Sequence, residues 1–125
     1  MFDRLAESSR LEYGPPATRA FVIAALLVIG ISLLPGSDLL DIEPWETLEH
    51  IIAYAGLAFV GILVFPQRRA VVLLAVLLPA LGGAVELCQL VVPGRSANID
   101  DAIANTLGVA LVLIPVFVWR GLWRR

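Results

Sequence analysis

The chain has 125 residues, 59% of them hydrophobic and 16% charged, and a mean hydropathy of +0.88. Soluble domains carry about a quarter charged residues, so an ordinary soluble fold is excluded and a membrane composition remains. The net charge of −2 decides little, because in a membrane chain placement of charge matters more than its sum. A single cysteine, Cys88, excludes an internal disulfide, and its apolar surroundings suggest a small packing residue. No Cys/His ligand cluster, Gly-rich phosphate loop or Gly-x-Ser-x-Gly elbow is present.

Four segments approach the ~20 apolar residues that a helix needs to cross a bilayer core. They run from about Ala17 to Leu34, Leu48 to Phe65, Ala70 to Val91 and Ala102 to Trp119. Pro35-Gly36, Pro66-Gln67 and Pro93-Gly94 follow the first three, where a helix should stop. Pro79 and Pro115 fall inside the third and fourth runs, which a membrane helix tolerates. The region before the first run is long and of mixed charge, with no Ala-x-Ala site after it, so a retained span is expected rather than a cleaved signal. No internal repeat or low-complexity linker divides the chain. The expected fold is therefore an all-α membrane protein, a bundle of four transmembrane helices forming a single domain over residues 1–125.

Arginine placement sets an expected orientation. Arg4, Arg10 and Arg19 precede the first span, Arg68 and Arg69 fill the loop after the second, and Arg120, Arg124 and Arg125 follow the fourth. These regions share one side, expected to be cytoplasmic together with both termini. The opposite loops carry Asp38, Asp41, Glu43, Glu46 and Glu49, then Asp100 and Asp101, with Arg95 the lone base. Trp119 and Trp123 suit the inner aromatic belt and Trp45 the outer one.

Polar residues then gather at one depth, near the extracytoplasmic ends. His50 enters the second span, Glu86 and Gln89 close the third, Arg95 lies in the loop beyond, and Asp101 and Asn105 open the fourth. His50 and Tyr54 stand one turn apart, as do Asp101 and Asn105, while Glu86 and Gln89 are three apart; each pair shares a helix face. Gly82 and Gly108 continue these stripes, and small residues there let backbones approach. A charge at the bilayer centre costs ~2.5–3.5 kcal/mol on insertion scales, so the stripes should face inward. Plainer roles stay open. His50 could bond Glu86 and pin two helices, Asp100 or Asp101 could cap the fourth helix, Arg95 could be a solvated surface charge, and Tyr54 an interhelical donor.

The segments "ETLEHIIAY", "ELCQLVVPGR" and "DAIANTLG" together resemble the VanZ-like family of small bacterial membrane proteins. That family typically shows Asp-Lys-x-x-His-x-x-x-Tyr, then Glu-x-x-Gln before a Pro-Gly-Arg turn, then Asp-x-x-x-Asn-x-x-Gly. His50, Tyr54, Glu86, Gln89, Pro93, Gly94, Arg95, Asp101, Asn105 and Gly108 match in order and spacing, over about Glu46 to Gly108. One departure is that Glu46-Thr47 stands where Asp-Lys is usual, leaving Arg95 as the base nearest the site. The resemblance implies a bacterial inner-membrane protein acting near the envelope or its lipid-linked precursors. The family's name comes from a protein linked to teicoplanin resistance.

Three functions follow. In the first, the site binds or modifies an anionic lipid or envelope precursor; Arg95 pairs the phosphate, Tyr54, Gln89 and Asn105 help bind it, and His50, Glu86 and Asp101 are the candidate catalytic groups. The acidic loops would repel such a substrate. A metal on Asp101, Glu86 and His50 would answer that objection, but no compact ligand motif supports one, so no metal is assigned and the cofactor stays unknown. In the second, a non-enzymatic module gives tolerance to a cell-wall-targeting antibiotic or stabilises a membrane assembly. A proton or ion pathway is the third and weakest, since the inner halves of the spans lack charges. Membrane lipids, and no nucleic acid, are the expected partners.

Overall fold

The computed structural model describes residues 15–35 and 43–122. Arg4, Arg10, Asp38, Asp41, Trp123, Arg124 and Arg125, which entered the orientation argument, lie outside them. Four helices account for most of what is described: α1 (Pro15–Ser32), α2 (Glu43–Val64), α3 (Arg68–Gln89) and α4 (Ile99–Leu122). All four are long and apolar enough to cross a membrane, with mean hydropathies between 1.7 and 2.3. At about 1.5 Å of rise per residue, the 22 residues of α3 exceed a ~30 Å hydrocarbon core. The expected all-helical membrane fold is thus what the chain adopts.

The helices start earlier than the apolar runs do. Hydropathy marks the part of a helix that sits in hydrocarbon, whereas the backbone ladder continues into the interface. Polar residues therefore occupy the first turns of α2 and α4, at Glu46 and at Asp100 and Asp101. Pro79 and Pro115 lie inside continuous helices, as expected. Phe65–Gln67 is so short a link that α2 and α3 must run antiparallel. Arg120 Nη1 donates to Pro66 O at 2.8 Å, tying the far end of α4 to that link.

Burial follows a stripe. Along α3 the buried residues are Val71, Leu74, Leu78, Gly82, Val85, Glu86 and Gln89, a three-and-four spacing that keeps one helix face inward. Val71, Leu74 and Leu78 form the core with Tyr54, Leu57 and Ala58 of α2 and Val109 and Leu113 of α4. The most extensive contact is between α2 and α4, and α3 lies against both. Gly108 explains that closeness: a Cβ there would collide with Ile51 O on α2. Helix α1 has no buried residue and packs more lightly, against α2.

The outward faces are hydrocarbon, with Leu26, Ile52, Leu73, Leu87 and Ile114 exposed. In lipid these need no cover. Trp45 and Trp119, both exposed, stand at opposite ends of the bundle. Cys88 corrects an expectation: it is exposed rather than packed. It sits beside Gln89 but off the buried stripe of α3, so an apolar neighbourhood in sequence became a lipid-facing one in space.

Candidate functional site

The ends of α2, α3 and α4 farthest from Pro66 bring the polar residues together. His50 is the hub. Its Nδ1 lies 2.9 Å from Asn105 Oδ1 and 3.9 Å from Glu86 Oε1, and its Nε2 lies 3.8 Å from Asp101 Oδ2. Three helices thus contribute to one cluster, and the helical spacing explains why: His50 projects from α2 toward two α4 residues one turn apart. Glu86 (5% exposed), Gln89 (2%), Asp101 (5%) and Asn105 (1%) are all buried.

Small residues permit this arrangement. A Cβ on Gly82 would come within 2.7 Å of Asn105 Nδ2, so glycine in α3 leaves room for the carboxamide of α4. The plainer role left open for His50, a bond to Glu86, is not made, because 3.9 Å is too long for a hydrogen bond; the ring meets Asn105 instead. Glu86 bonds elsewhere. Its Oε2 accepts the backbone N–H of Asn98 at 3.2 Å, which anchors the start of α4 to α3.

Asn98 is also the helix cap, since its Oδ1 accepts the N–H of Asp100 at 3.0 Å. The role left open for Asp100 or Asp101 as the cap is therefore not theirs; both lie in the helix's first turn. The apolar Ile99 between Asn98 and the acids hid the boundary. A sequence signal did exist, an N-cap-favoured Asn directly before the helix.

Two residues expected to bind a ligand also hold the fold together. Gln89 Nε2 donates to Ser32 O at 2.9 Å, and Arg95 Nε donates to Leu34 O at 2.9 Å. Both fasten carbonyls at the end of α1, where a helix leaves acceptors unpaired. Arg95 Nη1 further meets Glu46 Oε1 at 3.4 Å. Arg95 is therefore not a free surface charge. Gly94, with φ of 73°, turns the chain just before it, a conformation that suits glycine.

Glu46 was missed as a site residue. It stands one turn before His50 on the same face of α2, a signal that was available, whereas the residue was read as an acidic loop charge and as a departure from a family pattern. Glu46, His50, Tyr54, Gln89 and Arg95 line a cleft of about 130 Å³, whose apolar wall is Val28, Ile31 and Ala53. Three buried polar atoms lack a hydrogen-bond partner among the described residues: Tyr54 Oη, Glu86 Oε1 and Asn105 Nδ2. Tyr54 therefore does not act as an interhelical donor there. Unmade bonds of this kind cost ~1–3 kcal/mol each, and natural folds keep few of them.

Comparison with protein families decides the kinship: the VanZ/LLP1 model matches residues 11–120. The chain belongs to the VanZ/LLP1 family. Comparison with curated proteins and with solved structures gives no match. The residues that carried the resemblance in the sequence, from His50 to Gly108, are those that this VanZ-family protein gathers at one end of its bundle.

Proposed function

We infer that this multi-pass membrane protein binds or modifies an anionic lipid, or a lipid-linked envelope phosphate, at the extracytoplasmic face of a bacterial inner membrane. The observation that carries the reading is the cleft between α1 and α2. It has a charged and hydrogen-bonding floor at Glu46, His50, Gln89 and Arg95, and an apolar wall at Val28, Ile31 and Ala53. That division matches an amphiphile, whose head group needs donors and whose chain needs hydrocarbon. Ile31 is exposed and α1 packs lightly, so a lipid could enter sideways from the bilayer. Arg95 supplies charge-assisted donors for the phosphate. His50, beside Glu86 and Asp101, is positioned for acid–base work on a bound head group.

The test is lipid retention. Full-length protein purified in mild detergent should carry anionic phospholipid or polyprenyl phosphate above the detergent background. Arg95→Gln should lower retention about tenfold or more, since a charged hydrogen bond contributes ~1.5–3 kcal/mol. Arg120→Gln, which also removes an arginine tie but at the opposite end of the bundle, should retain it. No enrichment, or equal retention by Arg95→Gln, would sink the reading.

A second reading has its own support. Gln89 and Arg95 use donors on α1 carbonyls, and Glu86 holds the α4 cap. These are the bonds of a non-enzymatic structural knot, as a tolerance module or assembly partner would have. Under it, His50→Gln protein that still accumulates keeps whatever phenotype the gene confers.

A further inference from the structure

His50 has a second ring nitrogen that the lipid reading does not use. An amide oxygen can only accept, so the 2.9 Å contact of Nδ1 with Asn105 Oδ1 places a ring proton on Nδ1. In the neutral imidazole Nε2 then carries a lone pair, and its nearest charged neighbour is Asp101 Oδ2 at 3.8 Å. That separation is too long for a hydrogen bond. Glu86 Oε1 is a second acceptor without a donor, buried and 3.9 Å from the same ring.

Glu46 completes the set. One ligand atom each from Glu46, His50 and Asp101 lie within 4.8 Å of one another. Three carboxylates, counting Glu86, converge on one imidazole ring and the guanidinium of Arg95. Acidic groups alone would be ordinary. Glu86, only 5% exposed, adds a buried acceptor without a donor 3.9 Å from the same ring.

We propose that Glu46, His50 and Asp101 bind a divalent transition-metal cation, of the zinc or manganese class, through His50 Nε2 and one oxygen of each carboxylate. The donor set argues for that class: imidazole suits zinc and iron, carboxylate suits manganese, and purely oxygen-seeking calcium or magnesium has no use for the ring. The Nδ1–H bond to Asn105 is the orienting bond that metal-ligating histidines make with their second nitrogen. Glu86 stands by the Nδ1 atom of the same ring as a buried acid outside the ligand trio. Metal–ligand bonds of about 2.0–2.2 Å require the three atoms to draw closer. Glu46 is the residue that can move, since its side chain is 37% exposed against 6% for Asp101.

That movement has a consequence, which rests on the lipid reading above. Glu46 now contacts Arg95 Nη1 at 3.4 Å. Drawn to the metal, it releases that nitrogen toward the cleft, so metal binding and phosphate binding should be coupled.

The experiment strips the full-length protein, carried on a tag without histidines, with chelator. It is then offered zinc, manganese, magnesium or calcium, and bound metal and melting temperature are measured. One zinc or manganese ion per chain and a raised melting temperature are expected. Glu46→Gln and Asp101→Asn should each weaken binding about tenfold or more, whereas Glu49→Gln, which lines the cleft outside the trio, should bind as wild type does. Glu46→Gln guards against misfolding, because its side chain is the most exposed of the three. Absence of stoichiometric metal, binding of only magnesium or calcium, or undiminished binding by both variants would overturn the site. Lipid retained in full by metal-free protein would overturn the coupling alone. Metal bound without any lipid enrichment would leave the cation site standing and remove the lipid function.

Discussion

Glu86 shows how one buried side chain can serve two ends. Its Oε2 holds the N–H of Asn98, while Oε1 has no donor and faces His50. The two atoms separate under mutation. Glu86→Gln keeps an acceptor for Asn98 and removes the charge, so the unfolding free energy in detergent should stay within about 1 kcal/mol of wild type. Glu86→Leu leaves the Asn98 N–H unmatched and should cost ~1–3 kcal/mol. Equal stability of the Leu variant in chemical or thermal unfolding would show that the bond to Asn98 does not hold α4 in place. Tyr54 follows a different logic. At 1% exposure its ring fills the core, and its hydroxyl is buried without a partner among the described residues.

Among the elements, α2 and α4 form the frame on which the site is mounted, and glycine sets their spacing. A methyl group at Gly108 meets the Ile51 carbonyl, which is backbone and cannot rotate away. Gly83, by contrast, has open space where a Cβ would stand. Gly108→Ala should therefore destabilise by ~1–3 kcal/mol through overpacking. Gly83→Ala should be neutral or gain up to about 1 kcal/mol from helix propensity. Melting curves of the two variants side by side decide this, and a benign Gly108→Ala would mean the helices are farther apart than described. Because His50 is one residue before Ile51, the same substitution should also pull His50 from Asn105.

On the scale of the whole molecule, charge asymmetry orients the bundle. Arg68, Arg69 and Arg120 mark one end and the acidic cluster the other, so the positive-inside rule predicts that the site faces away from the cytoplasm. Ser96 is exposed in the loop beside it. In a Cys88→Ala background, needed because Cys88 is itself exposed, Ser96→Cys should react with a membrane-impermeant thiol reagent added to intact cells. Labelling only after the inner membrane is opened would invert the topology and place the site in the cytoplasm.

Chain order and chemistry in the sequence determined that there are four apolar helices, and that polar residues recur at one depth, since hydropathy and helical period are properties of neighbours along the chain. The proline pairs marked where α1, α2 and α3 stop, within a few residues. Which polar atoms meet was another matter. That His50 bonds Asn105 rather than Glu86, that Gln89 and Arg95 fasten the end of α1, and that Glu46 joins the cluster depend on rotations and separations between helices. Those are set by contacts such as Gly108 on Ile51 and Gly82 on Asn105, between residues far apart in sequence. Only packing could decide them, because a hydrogen bond is made or lost over about half an ångström, a distance that no local pattern encodes.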